Sequence, residues 1–366
     1  MRKIILAAFI GLVSVGLVYG LAYAAVTGEC VNCHTMHNSQ GGTGMELATF
    51  ETGPFEALLR GSCLGCHTGI NDGTNTTPYV FSTTEPTYGT DGTTGNTLAG
   101  GNFYWADTDA TTGHNVPGLG STESLTAPPG YDGGRADAQG NIPGGGTWSG
   151  SVTCAGANGC HGTHVSGQDD MAGVRGAHHT NVGGSLTTAD SVANSYRFLI
   201  GIHGYEDSDW EYQPTASAHN QYKGVARTGN VSDTSTISWL CGECHGEFHT
   251  YATDVGSSSP WLRHPTDLSL NDVTGTEYES YNNATDPTSA PYSVAAPVAS
   301  TDVSAVLSTV DVSKGAGTDN AIVTCISCHR AHGTPYSDLL RWDYSAIVAG
   351  GGGGNIGCFI CHTTKD

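Results

Sequence analysis

All twelve cysteines of this chain fall into six pairs, and a histidine directly follows the second cysteine of every pair. Two residues separate the cysteines in five pairs and five residues separate them in the other. Two thiols so placed can form thioethers to one haem while the adjacent imidazole lies under its iron. The motifs predict six covalently bound haems c at Cys30 and Cys33, Cys63 and Cys66, Cys154 and Cys160, Cys241 and Cys244, Cys325 and Cys328, and Cys358 and Cys361.

Disulfides and zinc are the alternative uses of paired cysteines. Exported proteins do contain disulfides, but a disulfide framework requires no histidine after each second cysteine. Zinc sites use similar cysteine pairs without fixing a histidine at this adjacent position. The widened third motif leaves open whether its haem is attached through both thiols, although the small residues between Cys154 and Cys160 could form a bulge.

The histidines that complete the motifs are the predicted proximal iron ligands: His34, His67, His161, His245, His329 and His362. The other ten of the sixteen histidines are candidates for the opposite face of each iron. Methionine is the usual alternative ligand, but only Met36, Met45 and Met171 follow the first residue, too few for six irons. The sequence therefore predicts low-potential, bis-histidine haems.

Position along the chain narrows the candidates for the distal ligands. Four follow a proximal histidine by three or four residues and are better placed to reach a neighbouring haem than their own: His37, His164, His249 and His332. Two stand in loop-like contexts: His114 and His264. We interpret the remaining four as surface residues or hydrogen-bond partners of haem propionates: His178, His179, His203 and His219.

The elements that position these residues are expected to be short. Successive proximal histidines are 33, 94, 84, 84 and 33 residues apart, so two close pairs bracket a sparser middle. Residues 71–104, 131–150 and 271–320 are rich in Gly, Thr, Ser, Asp and Pro, which favours turns and irregular loops. We predict a multihaem cytochrome c fold that is mostly irregular, wrapped around a chain of closely stacked haems. Short helices are expected at the motifs and near residues 55–59 and 191–199, with a few short strands.

The composition supports a cofactor-based core. Only 37% of the 366 residues are hydrophobic and 53 are glycine, so the chain is short of core-forming side chains. Haems are large apolar plates, and burying them at roughly 25 cal/mol per Å² can replace the missing aliphatic residues. The net charge of −21 argues against a nucleic-acid partner, which requires a basic surface.

The first residues are typical of a secretory signal. Arg2 and Lys3 precede an apolar run over residues 4–21 and the small-residue pattern at Ala22-Tyr23-Ala24. We expect residues 1–24 to be a signal peptide and residues 25–366 to form a single hexahaem domain. The protein is expected to be secreted, reaching the extracellular space or outer cell surface after passage through the periplasm.

Several stretches resemble the OmcS-type extracellular hexahaem cytochromes. They include residues 29–39, with the letters CHTMHNS, residues 262–265, with LRHP, and residues 325–332. The resemblance extends over nearly all of the chain after residue 24, apart from the widened third motif and shorter linking segments. It implies extracellular electron transfer by subunits that polymerise head to tail into conductive filaments.

The same resemblance implies a set of distal ligands. The family's ligand contexts match His37, His114, His164, His249, His264 and His332. In the family, the histidine that corresponds to His37 crosses the subunit interface. The resemblance thus implies that His37 ligates the haem held by Cys325, Cys328 and His329 in the neighbouring subunit.

Two other functions are compatible with the motifs. A monomeric periplasmic or outer-surface electron carrier would use the same haems without polymerising. A multihaem reductase would need an iron with an open or exchangeable position, as catalytic metal sites generally do. The sequence contains no CxxCK motif and has histidines to spare. We therefore expect an electron carrier with no catalytic residues, whose partners are its own copies and other redox proteins or extracellular acceptors.

Overall fold

The fold is mostly irregular, as the composition predicts. The structure is a computed structural model, and it describes residues 26, 28–148, 150–180, 183–227, 230–249, 264–270, 275–276, 278–313, 320–352 and 354–364. The predicted signal peptide lies outside the described residues. Turns and bends connect many short elements.

The α-helices of the described chain are short. They are α1 (Cys63–Cys66), α2 (Tyr104–Thr108), α3 (Asp170–Gly173), α4 (Ile237–Cys244) and α5 (Cys325–Cys328). Three of them, α1, α4 and α5, end at the second cysteine of a haem motif, which confirms the prediction of helices there. Within the described ranges, no helix has the length and apolar character needed to cross a membrane.

Isolated 3-10 turns are more numerous than α-helices. They occupy Cys30–Asn32, Glu56–Leu58, Ala110–Thr112, Pro143–Gly146, Gly156–Asn158, Ala177–His179, Val192–Asn194, Tyr196–Phe198, Gly246–His249, Tyr281–Asn283, Pro287–Ser289, Ser337–Leu339, Tyr344–Ala346 and Gly357–Ile360. The segments near residues 55–59 and 191–199, predicted as short helices, are thus 3-10 turns.

The strands have two or three residues each. They are β1 (Ser39–Gln40), β2 (Thr43–Gly44), β3 (Thr153–Ala155), β4 (Gly159–His161), β5 (Gly184–Leu186), β6 (Gly204–Glu206), β7 (Gln221–Tyr222), β8 (Leu268–Ser269), β9 (Ala290–Pro291), β10 (Thr309–Val310) and β11 (Ile322–Val323). Strands β5, β6 and β7 form an antiparallel sheet, β3 pairs in parallel with β4, and antiparallel two-stranded pairs join β1 with β2, β8 with β11, and β9 with β10.

Asp-X-Ser/Thr turns order much of the irregular chain. In eight of them the aspartate Oδ1 accepts a hydrogen bond of 2.8–3.0 Å from the backbone N–H two residues later. This side chain to backbone bond replaces the ladder bonds of regular structure. The polar composition therefore produces defined turns. The aspartates are Asp72, Asp91, Asp109, Asp233, Asp286, Asp302, Asp311 and Asp343.

The apolar core is divided into clusters that border the haem-attachment cysteines. The first includes Tyr281 and Trp342 and packs against Cys328, Cys358 and Cys361. A second, centred on Ile202 and Ile322, packs against Cys160, and a third, centred on Phe103, packs against Cys154. Each cluster thus supports an attachment motif.

Candidate haem-binding site

The regular attachment motifs place both cysteines on one side of a turn. In α1, α4 and α5 the two cysteines are three residues apart, which brings them together on one helix face. The Ser62 side chain caps α1 by accepting from Gly65 N–H, and Thr236 caps α4 by accepting from Trp239 N–H at 3.1 Å. The local sequence therefore fixes the geometry of the two thiols before any long-range contact is considered.

The widened third motif reaches a similar geometry by another route. Strands β3 and β4 pair in parallel, with Thr153 opposite Gly159 and Ala155 opposite His161. This register places Cys154 beside Cys160 on adjacent strands, about 4.8 Å apart, close to the roughly 5–6 Å between neighbours on a helix face. The 3-10 turn Gly156–Asn158 absorbs the extra residues as a bulge. This placement is compatible with attachment through both thiols.

Five proximal histidines are held by the same kind of hydrogen bond. Their Nδ1 atoms lie 2.6–3.1 Å from backbone carbonyl oxygens: His34 with Ala57, His67 with Pro78, His161 with Arg197, His245 with Pro129, and His329 with Asp338. Such a bond fixes the ring orientation and leaves Nε2 for a metal. Burial lowers the pKa of His245 to about 4 and lowers that of His67, so both imidazoles are neutral, as a metal ligand must be.

Three of these carbonyls belong to turns with left-handed backbone. Ala57, Arg197 and Asp338 have φ values of 51°, 48° and 59°. Non-glycine residues adopt this conformation at a cost of about 1–2 kcal/mol. The surrounding packing maintains it at positions where the carbonyl must face the proximal imidazole.

Across from the proximal histidines, five further imidazoles complete facing pairs. The ring centroids are 6.2–6.4 Å apart in every pair: His34 with His179, His67 with His178, His161 with His332, His245 with His114, and His329 with His264. Rings in direct stacking contact are much closer, as His219 and Tyr292 show at 3.8 Å.

The separation within these pairs fits a shared iron. Two imidazole nitrogens bound to one metal at about 2.0–2.1 Å, with each ring centroid about 1.1 Å behind its nitrogen, give a centroid separation of about 6.3 Å. The observed spacing therefore fits a metal between the rings. Together with the adjacent thiols, these residues fit a covalently attached haem.

Three of the expected distal ligands lie opposite a proximal histidine, namely His114, His264 and His332. The Nδ1 atom of His114 also lies 2.6 Å from Ala331 O, the same orienting bond that the proximal histidines make. By contrast, the imidazole of His37 is exposed, and His249 is buried against Gly242.

His164 was expected to be a distal ligand, but in the structure its imidazole lies beside two carboxyl groups. Its Nδ1 atom lies 3.1 Å from a carboxylate oxygen of Glu243 and 3.6 Å from one of Asp137, and all three side chains are buried. Burial raises the pKa of Glu243 to about 7, because it penalises the charged form. The proximal His161 of the same motif instead faces His332.

Two of the histidines that form pairs, His178 and His179, were interpreted from the sequence as surface or propionate-binding residues. They are consecutive in the 3-10 turn Ala177–His179, where successive side chains point about 120° apart. The two imidazoles therefore cannot serve one iron, but they face two different proximal histidines. A His-His dipeptide close to a series of haem motifs is the sequence signal that could have identified them.

The pair formed by His264 and His329 corrects one expectation. The iron of the fifth motif was expected to receive His37 from a neighbouring subunit. In the structure the imidazole of His264, from the same chain, lies 6.4 Å from that of His329. An imidazole of the same chain thus lies opposite the proximal histidine of the fifth motif.

The attachment motifs follow one another in space in their sequence order. Thiols of consecutive motifs are close enough for one to raise the pKa of the other: Cys33 and Cys66, Cys63 and Cys154, Cys160 and Cys244, Cys241 and Cys325, and Cys328 and Cys358. Cys63 and Cys154 also form a cluster with Asp170, in which the ligand atoms lie within 4.8 Å of one another. Because both are attachment cysteines, this cluster belongs to the haem sites.

Comparison with known proteins gives a consistent identification. Residues 319–366 match the family model "Doubled CXXCH motif". The chain is 28% identical to the C-type cytochrome OmcS of Geobacter sulfurreducens over 358 residues, covering 86% of this chain and 78% of that protein.

Two solved structures are also similar. The outer membrane cytochrome S filament from Geobacter sulfurreducens is 22% identical with a TM-score of 0.44, covering 88% of this chain and 85% of that one. The OmcS nanowires of the same organism have the same identity and TM-score over 87% and 84%. The attachment motifs, the facing imidazoles and the sequence similarity are together typical of a multihaem c-type cytochrome, and OmcS is a protein to which this chain is similar.

Proposed function

We propose that the protein carries six haems c and conducts electrons along them without transforming a substrate. The observation that carries this proposal is the set of five facing imidazole pairs, arranged along six attachment motifs that are adjacent in sequence order. An iron with two imidazole ligands offers no open position to a substrate. The arrangement therefore favours a carrier over a reductase.

Each of the first five haems is assigned two imidazoles from the facing pairs. The sixth is assigned to Cys358 and Cys361 with His362 as its proximal ligand. A bound haem supplies one-electron chemistry between ferric and ferrous iron. Backbone carbonyls orient five proximal imidazoles so that Nε2 is left for the metal, and the apolar clusters next to the thiols limit access of water.

Two measurements test the haem assignments. The intact mass of the denatured protein should contain six haems, whereas five haems with Cys154 and Cys160 open to alkylation would show that the third motif is unused. Carbon monoxide added to the reduced protein should leave the spectra of at least five of the six haems unchanged, because five motifs have facing imidazole pairs. If a large fraction of the haems bound carbon monoxide, the carrier proposal would be wrong and a multihaem reductase would be favoured.

We further propose that subunits polymerise head to tail at the outer surface of the cell. The support is the similarity to OmcS, whose solved structures are named as a filament and as nanowires. Head-to-tail contacts that do not close into a ring generate open polymers. The exposed position of His37 suits a ligand to a haem of the neighbouring subunit other than the fifth.

Electron microscopy of the purified native protein tests polymerisation. Filaments are expected, with a repeat set by one subunit. Uniform single particles at the same concentration would instead indicate a monomeric periplasmic or outer-surface carrier. Surface proteolysis of intact cells tests the location, since an extracellular protein is degraded without cell lysis.

A further inference from the structure

Two buried arginines flank the fifth attachment motif. Arg330 directly follows the proximal His329 and is 2% exposed, and Arg341 is 1% exposed. Arg341 is bonded to the motif itself: its N–H donates to Cys328 O at 2.9 Å and its Nε donates to Ile326 O at 2.7 Å. The Arg341 side chain therefore lies against the fifth motif, while Arg330 is joined to the motif through the backbone of His329 and acts electrostatically on Arg341.

Within the described part of the chain neither guanidinium forms an ion pair with a carboxylate. Arg330 Nη1 donates to Leu98 O at 2.7 Å and to Ala99 O at 3.0 Å, while its buried Nε has no hydrogen-bond partner in that part of the chain. Its guanidinium lies 5.5 Å from the ring centroid of Tyr88. These neutral groups solvate the charge but do not cancel it.

Among the buried groups, the negative charge is smaller than the positive charge, while Asp338, whose charge also acts on His329, is exposed and screened by water. Glu211 is the buried carboxylate that acts electrostatically on Arg341, and it accepts from Asn220 N–H at 2.7 Å. Burial and Arg330 both lower the pKa of Arg341, because each charged guanidinium destabilises the other. Two cations and one anion leave an excess of positive charge in a low-dielectric region, where a charge is felt strongly.

We propose that Arg330 and Arg341 raise the reduction potential of the fifth haem, so that it is reduced before the first haem. On accepting one electron, supplied by a neighbouring haem or an electrode, an iron centre becomes more negative by one charge. A nearby uncompensated cation stabilises this reduced form.

The first haem site provides a matched control. Arg60 occupies the position there that Arg341 has at the fifth site, since its N–H donates to Cys33 O at 2.9 Å and its Nη1 donates to Val31 O at 3.2 Å. Arg60 is only partly buried. Water therefore screens its charge more effectively than that of Arg341.

The test is a spectroelectrochemical titration of the full-length holoprotein. In Arg341→Gln and in Arg330→Gln, about one sixth of the absorbance change should move to lower potential. Arg341→Lys should stay near the wild-type curve because it keeps the charge. Arg60→Gln should lower the potential of the first haem's share of the absorbance change by a smaller amount. This inference rests on the proposed haem assignments. Intact mass and the low-spin spectrum are therefore recorded for each variant, so that an error in the haem assignments can be distinguished from a failure of the proposal about the potential.

Two results would overturn the proposal. The first is an unchanged titration curve in both glutamine variants while six low-spin haems are retained. The second is a shift in Arg60→Gln as large as in Arg341→Gln, which would mean that burial of the charge is irrelevant. If Arg341→Gln fails to fold, Arg330→Gln and Arg341→Lys still decide the question.

Discussion

The first two and the last two attachment motifs form two modules with the same local design. The N-terminal module covers residues 30–67 and the C-terminal module residues 325–362, and in each the proximal histidines are 33 residues apart. Both contain a second histidine three residues after the first proximal one and a Leu-Leu-Arg segment. In both, the backbone of that segment pairs with the first motif: His34 with Leu59 and His329 with Leu340.

The modules differ in what surrounds the second histidine. His37 in the N-terminal module is exposed, whereas His332 in the C-terminal module faces His161 of the third motif. The arginine after the leucines is partly buried in the first module and almost fully buried in the second. Local sequence therefore sets the proximal half of each site, and packing against the rest of the chain decides whether the second histidine faces a proximal histidine of another motif.

The largest expected effect is the loss of the distal ligand in the C-terminal module. His332→Ala should leave the iron above His161 with one imidazole, because no other facing ring replaces it in the described structure. One of six haems should become high-spin and bind carbon monoxide, as measured by absorption and electron paramagnetic resonance spectra.

The matched control uses another CHxxH motif. His164→Ala should keep all haems low-spin, because His164 faces Glu243 and Asp137 instead of a proximal histidine. It should nevertheless destabilise the protein by about 1–3 kcal/mol, since it leaves buried acceptors without a donor. A high-spin haem in His164→Ala and none in His332→Ala would reverse the ligand assignment.

The corresponding change in the N-terminal module should act between subunits. His37→Ala should leave isolated subunits with six covalent haems and an unchanged spectrum, but it should prevent filament formation, as seen by electron microscopy. Met36→Ala is the control, because Met36 is 82% exposed and adjacent to His37. Filaments of His37→Ala with six bis-histidine spectra would show that His37 ligates no haem of the neighbouring subunit.

The comparison also shows how far the sequence predicts the site. The thiols and proximal histidines could be predicted because they are specified within a few residues. His114, His264 and His332 were predicted as distal ligands, while the pairing of His178 and His179 was missed. Facing pairs depend on contacts between distant segments, such as that of His178 with His67, and no local pattern specifies those contacts.

The sequence predicts a fold rich in turns, but it does not predict the backbone conformation of every residue. The abundance of Asp, Ser, Thr and Gly indicated a turn-rich chain, and the Asp-X-Ser/Thr turns account for it. The left-handed residues Ala57 and Arg197 could not be predicted, because their side chains do not favour that conformation, and an aspartate such as Asp338 tolerates the conformation without specifying it. Long-range packing around the proximal imidazoles imposes it.

A smaller effect distinguishes the left-handed turns of the two modules. Ala57→Gly should stabilise the protein by about 0.5–1 kcal/mol, because glycine adopts positive φ without a Cβ penalty. Asp338→Gly should gain less than about 0.5 kcal/mol, since aspartate tolerates this conformation better than alanine. Denaturant midpoints measure both.

A reciprocal control for these turns is Gly140→Ala. Gly140 has a φ of 87°, and nothing lies within 4 Å of an added Cβ. The substitution should therefore destabilise through backbone strain alone. Equal gains from Ala57→Gly and Asp338→Gly would show that residue type does not distinguish the two turns.

The smallest effect concerns acid stability, to which Asp343 in the C-terminal module contributes. Its Oδ1 accepts from Ser345 N–H at 2.8 Å and from Ser345 Oγ at 2.6 Å, and these bonds lower its pKa. The folded-state pKa is thus below the unfolded value of about 3.9. The stabilisation is present above that value and is lost as the pH falls through the folded pKa.

Asp343→Asn isolates this contribution, because the amide oxygen can still accept the hydrogen bonds but does not titrate. The wild type should be slightly more stable at pH 7, since a carboxylate is the stronger acceptor, and the difference should shrink below about pH 4. Denaturant midpoints from pH 3 to pH 7 measure it. Asp302→Asn, in the same kind of turn outside both modules, should behave alike because the pKa of Asp302 is also lowered. The N-terminal module has Gly61 and Ser62 after its arginine and lacks this carboxylate. If the difference in stability between the wild type and Asp343→Asn were the same at every pH, the two modules would not differ in acid sensitivity at this position.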